Sequence, residues 1–280
     1  MSSNDLSYLV LGHLTQDITS SGIQMGGTAA YSSLTAHALG HSVRLVTSYP
    51  EDIPFSDKER MDIVNIRTDL ATKFENIMLA ETRRQYCYTQ AKSIQTGTIP
   101  PQWMDSDIIH FGPVAQEIPL ETVLYFSKAA FLCATPQGWM RSWDEQSLVH
   151  PIAWNWAEKV LPLLKAVVIS LEDVDGDENK ITEMARLCEI LAVTEAQDGA
   201  RVYWKGDARY FPAPPISLVD STGAGDIFAA VFFSRLFSTG SPWVAARNAV
   251  QLASRSVGRA GLSGVPTEQE VNQNLVEIIK

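Results

Sequence analysis

Short apolar runs alternate along the chain with polar turns and with stretches of helical spacing. The first run, residues 6–11, ends at Gly12 and has the continuous apolar character of a strand buried on both faces. A polar segment follows, His13-Leu14-Thr15-Gln16-Asp17, and then Met25-Gly26-Gly27-Thr28. The two glycines open residues 29–39, a stretch rich in small side chains and closed by Gly40, which reads as a helix whose backbone can approach another group closely. Residues 43–47, with Val43, Leu45 and Val46, predict a second buried strand. Strand, loop, helix and strand in that order are the signature of a parallel sheet.

Residues 48–80 carry less pattern, with a polar stretch at 51–60 and short apolar pieces at 63–64 and 77–79. From 83 to 90 the period becomes two. Arg84, Tyr86 and Tyr88 share one face of this strand, and Arg83, Gln85 and Cys87 share the other. So polar a strand belongs outside the core, either as a flap that offers arginine and tyrosine to a polar ligand or as a solvated edge strand.

The second half alternates regularly. Residues 108–111, 130–134, 166–169 and 190–193 predict strands, and 120–128, 153–164 and 180–188 predict helices between them. Residues 201–204 and 211–212 look like an antiparallel excursion, and Ser241-Pro242 is a good cap and first position for a further helix. No repeat or long linker interrupts the chain, so residues 1–280 are expected to form one doubly wound α/β domain, with 13–25 and 81–97 as a small lid or flap. In such sheets ligands bind beyond the C-terminal strand ends. The chemically unusual residues gather there: Asp17, Gly26-Gly27, Gln137-Gly138, Ser170 to Asp173, Thr194 to Gly199 and Asp220 to Asp226.

Composition narrows the partners. A hydrophobic fraction of 45% with 19% charged residues is that of a soluble globular protein. The net charge of −10, from 22 Lys and Arg against 32 Asp and Glu, argues against a nucleic-acid or anionic-membrane surface. Cys87, Cys133 and Cys188 are far apart and form no Cys-x-x-Cys pair, which fits a reducing cytoplasm rather than a disulfide framework or structural zinc. Residues 1–5 lack the basic start of a signal peptide, and no apolar run approaches the roughly 18 residues a bilayer span needs.

One stretch concentrates the chemistry. Asp220-Ser221-Thr222-Gly223-Ala224-Gly225-Asp226 leads into a segment without charge from Ile227 to Ser234, and reads as a glycine-punctuated turn entering a buried helix. Backbone N–H groups at such a start lack intrahelical partners and, with the helix dipole, attract an anion. Asp226 then sets a carboxylate beside that anion. For mere holding this is a poor arrangement. It suits a site where a hydroxyl is aligned and deprotonated while charge builds on a transferring phosphoryl group. The plain alternative is that Asp226 caps a helix. Two other phosphate loops are excluded: there is no Gly-x-x-x-x-Gly-Lys-Ser/Thr, and Phe228 stands where Gly-x-Gly-x-x-Gly needs its third glycine.

Residues 220–228 resemble the C-terminal signature of the ribokinase, or PfkB-type, carbohydrate kinases, and Gly26-Gly27 with the helix to Gly40 resembles their N-terminal signature. The resemblance implies a ribokinase-like three-layer α/β/α fold with a mostly parallel, doubly wound sheet and a small β flap. It implies ATP-dependent phosphorylation of a hydroxyl on a small sugar, polyol or nucleoside. Asp226 matches the catalytic aspartate, and Gly223, Ala224 and Gly225 match the anion hole. Asp17 and Gly26-Gly27 match the substrate pocket, to which Tyr31, Arg84, Gln137 and Arg141 are further candidates, although an arginine on a loop is more often a solvated surface charge. Ser170, Glu172, Asp173, Thr194, Gly199 and Asn248 fall on the nucleotide side. Glu172 or Asp173 would hold Mg²⁺ through water, and Asp220 with Thr222 would frame a K⁺ site. The flap strand can pair across a dimer or stay solvent-exposed, so a monomer or homodimer is expected.

The chain departs from the family at Tyr31, often Asn; at Ser170-Leu171-Glu172-Asp173, which stands for an Asn-x-x-Glu element; and at Ala196, where the family has glycine. The stretch from Val193 to Lys205 is similar to the myo-inositol kinase-like branch. Two rival readings remain: a nucleoside kinase, and a non-catalytic nucleotide or sugar sensor. The five histidines show no metal-ligand spacing.

Overall fold

The apolar runs form the inner strands of a parallel sheet. In chain order, β1 (Ser7–Leu11) leads to β2 (Thr15–Thr19), β3 (Gly22–Gly26), α1 (Gly27–Ala38), β4 (Ser42–Thr47) and β5 (Asp62–Asn65). β6 (Thr72–Leu79), β7 (Thr82–Thr89), β8 (Ile108–Phe111), α2 (Leu120–Tyr125), β9 (Leu132–Ala134), β10 (Arg141–Trp143), β11 (Val149–Pro151) and α3 (Ala157–Val160) follow. The chain continues through β12 (Ala166–Ser170), α4 (Glu178–Leu187), β13 (Ile190–Thr194), β14 (Gly199–Trp204) and β15 (Asp207–Pro212). It closes with α5 (Ala224–Thr239), α6 (Pro242–Ser256) and α7 (Glu268–Leu275). The computed structural model describes residues 6–20, 22–53, 55, 58–79 and 82–275. Expectations for residues 1–5, 21, 54, 56, 57 and 81, and for the side chain of Arg83, lie outside the described residues.

Among the described residues the main sheet has the order β15-β14-β13-β12-β9-β8-β1-β4-β5. It is parallel from β5 to β13 and ends in the antiparallel β14–β15 hairpin. Side chains alternate between two cores, as the pleat requires: Tyr8 and Val10 join the layer that holds α1, α5 and α6, while Leu9 and Leu11 join the layer that holds α2, α3 and α4. This is the three-layer arrangement that the resemblance implies.

The flap differs from its expected bounds. It is a second sheet in the order β3-β2-β6-β7, with Tyr86 bridging to Leu148 next to the β10–β11 pair. Its central strand, β6, lies in the region where the sequence has no clear period, because Lys73, Glu75 and Asn76 break the alternation. Residues 90–97 lie outside this sheet. The helix expected over 153–164 shrinks to α3 and a 3₁₀ turn at Leu161–Leu163, where Pro162 lacks the N–H that would extend the helix.

Two features hold the strand ends that carry the site. Glu117 is fully buried and accepts hydrogen bonds from the N–H groups of His13 (3.0 Å), Val114 (3.0 Å) and Ala115 (2.7 Å), tying the loop after β1 to the loop after β8. The whole of α5 from Ile227 to Ser234 is buried, and Phe233 meets the His110 ring edge-on at 4.9 Å. Burial lowers the His110 pKa to about 3, so its imidazole stays neutral and accepts this apolar neighbour. Replacing Phe233 by Ala should cost about 3–5 kcal/mol. Urea unfolding at pH 7 measures it, and a loss below about 1 kcal/mol would mean that α5 is not held by this contact.

Candidate active site

Asp226 stands in the first turn of α5, after Gly223, whose φ of 77° turns the chain into the helix. Gly223 is required on a second count. A Cβ there would overlap the Tyr31 ring, so α1 and the signature loop lie in direct contact. Thr28, on the first turn of α1, donates its hydroxyl hydrogen bond to Asp226 Oδ1 at 2.6 Å. Ser32, one helical turn further, donates to the Asp226 carbonyl at 3.2 Å. The two signature motifs are thus joined by hydrogen bonds across nearly the whole chain.

Asp17 lies opposite, on β2, and accepts from the Thr15 hydroxyl at 3.0 Å. Its carboxylate occupies the space that a Cβ on Gly26 would take, and a Cβ on Gly27 would stand 2.6 Å from the His13 carbonyl oxygen. The diglycine therefore lets α1 begin against both groups. Asp17, Asp173 and Arg141 all act electrostatically on Asp226. Burial is the largest influence and raises the Asp226 pKa to about 6; the Thr28 hydrogen bond and Arg141 work against it, while Asp173 and Asp17 add to it. The Tyr31 hydroxyl is held protonated by burial and by the carboxylates of Asp220, Asp17 and Asp226.

The remaining candidates divide. Arg141 is not a surface charge. It is 9% exposed, its Nε donates to the Val114 carbonyl (2.7 Å), its Nη1 donates to Gln85 Oε1 (2.7 Å), and its guanidinium covers the Phe74 ring at 4.8 Å. Gln137 donates to Asp173 Oδ1 at 3.1 Å. Asp173 forms a capping box with Ser170, taking the Ser170 N–H at 2.8 Å, and Glu172 is exposed. Asp220 accepts from the N–H groups of Thr222 (2.9 Å) and Gly261 (2.8 Å) and so clasps the signature loop to the chain after α6. Ala224 donates its N–H to Ser221 in a turn (3.2 Å), while Gly225 faces open space.

Four candidates make their contacts away from Asp226. Arg84 is exposed, and the register Asp17–Phe74–Cys87 sets it on the other face of the flap, beside the stacked rings of Tyr86 and Tyr88. Gly199 starts β14 and packs on the backbone of Ala213. Asn248 accepts from Arg235 (2.9 Å) and donates to Asn274 (2.7 Å). Arg235 lies about 13 Å along α5 from Asp226 at 1.5 Å per residue. Thr194, at the end of β13, bonds the Ile169 carbonyl at 3.3 Å.

Residues 168–269 match the pfkB family carbohydrate kinase. The chain resembles the PfkB-type carbohydrate kinases. A fructokinase of Klebsiella pneumoniae is 32% identical over 93 residues, which span 30% of this chain and 30% of that protein. An inositol 3-kinase of Oryza sativa subsp. japonica is 40% identical over 107 residues, which span 35% of this chain and 25% of that protein. The matched stretches therefore span less than a third of either relative's own length. A solved structure described as a pyrophosphate-dependent kinase in the ribokinase family, complexed with a pyrophosphate analogue and myo-inositol, superposes with a TM-score of 0.79 at 19% identity, covering 95% of this chain and 99% of that one. That likeness shows the fold, which is ribokinase-like.

The sequence reading missed Thr28, Gln85 and Glu117. Gln85 was legible in principle, since the period of two sets it on the face of Cys87 rather than Arg84. Thr28 was adjacent to the diglycine, but only the packing of α1 on α5 reveals its partner. Among the described residues no three or more acidic, His or Cys side chains converge to hold an ion directly. Mg²⁺ keeps several waters and takes one or two carboxylates together with substrate phosphates; Glu172 is exposed, whereas Asp173 already accepts from Gln137 and from the Ser170 N–H.

The raised pKa of Asp226 has a stability consequence. Below about pH 4 the carboxyl is protonated in both states. Between pH 4 and 6 the unfolded chain ionises first, so this group lowers stability as pH rises, and above 6 its penalty is constant. Asp226→Asn should therefore match the wild type near pH 3 and exceed it at pH 7–8 by on the order of 3 kcal/mol. Urea unfolding at several pH values checks this; a difference independent of pH would refute the assigned shift.

Proposed function

We propose that the protein is a kinase that transfers the γ-phosphoryl group of ATP to a hydroxyl of a small sugar or polyol, with inositols the first acceptors to try. One observation carries this reading: a half-buried carboxylate at the N-terminus of α5, with one oxygen tied to Thr28 and a second acid, Asp17, across the space beside it. In this reading Asp17 accepts hydrogen bonds from the acceptor's neighbouring hydroxyls. Asp226 orients the reacting hydroxyl and takes its proton as the new O–P bond forms and the bond to the β-phosphate oxygen breaks, releasing ADP. The N–H groups at the start of α5 stabilise charge on the transferring phosphoryl. Mg²⁺, held through water by Glu172 or Asp173, would supply further charge neutralisation when bound with the donor. Asp220 and Thr222, on the loop clasped to Gly261, would form the K⁺ site.

The engagement of Asn248 with Arg235 and Asn274 favours a second reading of the donor, in which pyrophosphate replaces ATP, because that amide is committed within the protein. A panel of polyols, sugars and nucleosides assayed with each donor separates the two. ADP release with ATP and a polyol is expected; turnover with pyrophosphate alone would replace the donor, and binding without turnover would favour a sensor. Asp226→Asn should lower kcat by about 10²-fold or more while the acceptor KM changes little. A folded variant with near-normal kcat would remove Asp226 as the base.

A further inference from the structure

Thr28 is 4% exposed and is held from three sides. Its backbone is set by Gly27, which has no room for a side chain against the His13 carbonyl. Its methyl lies against Gly112 at the end of β8, where an added Cβ would overlap Thr28 Cγ2 and stand 3.0 Å from Thr28 Cβ. Its hydroxyl ends on Asp226 Oδ1 at 2.6 Å, and among the described residues no other side-chain donor is bonded to that carboxylate. A threonine so confined has one χ1 rotamer available, because its two γ substituents are assigned to different neighbours.

We propose that Thr28 is a positioning residue of phosphoryl transfer: its hydroxyl pins one oxygen of the Asp226 carboxylate and thereby aims the other at the acceptor hydroxyl. This rests on Asp226 being the base. A carboxylate in a first helical turn otherwise rotates about its terminal torsion, which is broad and roughly two-fold. A short charge-assisted hydrogen bond to one oxygen removes that freedom, leaving the second oxygen as the proton acceptor. The same bond favours the ionised carboxylate, in a setting where burial, Asp173 and Asp17 oppose ionisation and Arg141 supports it. Thr28 therefore acts on both the direction of the base and the pH at which it is available. Since Thr28 sits on α1 beside the diglycine, the substrate-side motif acts on the catalytic carboxylate through this bond, while Ser32 holds the Asp226 carbonyl.

Kinetics from pH 5 to 9 with the wild type, Thr28→Val and Thr28→Ser test this. Val keeps the methyl packing and removes the donor; Ser keeps the donor. In Thr28→Val the acidic limb of the kcat profile should move up by about one pH unit, and the plateau should fall about tenfold or more, with the acceptor KM within about threefold of wild type. In Thr28→Ser the limb should stay in place. An unshifted limb and unchanged plateau in Val, or a Ser variant as impaired as Val, would overturn the proposal and make Thr28 a packing residue. If Val does not fold, Thr28→Ala, which leaves a gap instead of an unpaired contact, should show the same shift, and an Ala profile equal to wild type would overturn it. Urea unfolding across pH reads the bond without turnover: the window in which stability falls with rising pH should extend upward in Val or Ala and not in Ser. A wild type that phosphorylates no acceptor would refute the kinase reading, whereas the unfolding comparison still decides whether Thr28 controls ionisation of Asp226.

Discussion

Everything in the site depends on the close packing of α1 against the N-terminal half of α5. For the proposed reaction Asp226 has to be enclosed enough to act as a base near neutral pH, and yet be ionisable, which complete burial would oppose. The Thr28 hydroxyl and the Arg141 charge supply the compensation, and the Thr28 bond needs the backbones of α1 and α5 close together. That proximity comes from small side chains. Ala29, Ala30, Ser32 and Ser33 on α1 are all buried, and Tyr31, the one large residue among them, lies over Gly223 where no side chain opposes it. The apolar face of α5 then seats the pair on the main sheet through Phe232 and Phe233.

The flap contributes from the other side. Its inner face presents Asp17, Phe74 and Gln85, and Arg141 is laid across Phe74 and bonded to Gln85. An arginine so placed loses much of its hydration and is therefore held by a carbonyl, an amide and a ring together. It links β7, the loop after β8 and β10, three segments distant in sequence, around the space facing Asp226. Glu117 performs the matching task beneath the site, where its carboxylate gathers backbone donors from the loops after β1 and β8. Both are buried charges that order loops, and loops at the strand ends are where this fold holds its chemistry.

Legibility in the sequence followed the strength of local periodicity. The mostly apolar runs at β1, β4, β8, β12 and β13 were readable because a strand buried on both faces is apolar at most positions. The β14–β15 hairpin and the cap of α6 were readable from turn and capping chemistry. β6 was not, because a small sheet with one solvated face tolerates polar residues that erase the alternation. The burial of Arg141, a candidate weighed against the ordinary expectation of a solvated loop arginine, was not legible for a related reason: it is created by Phe74 and Val114, and nothing in its neighbours along the chain signals them.

The sequence by itself determined the parallel α/β order, the glycine turn entering an apolar helix, and an acid in that helix's first turn, since all three are properties of contiguous residues. Only the tertiary structure decided which hydroxyl bonds that acid, which face of the flap meets it, and that Arg84 and Asn248 stand apart from it. The physical reason is range. Backbone propensity and hydrophobic period act over a few residues, whereas the ionisation and aim of Asp226 are set by groups that reach it only through the packing of distant elements.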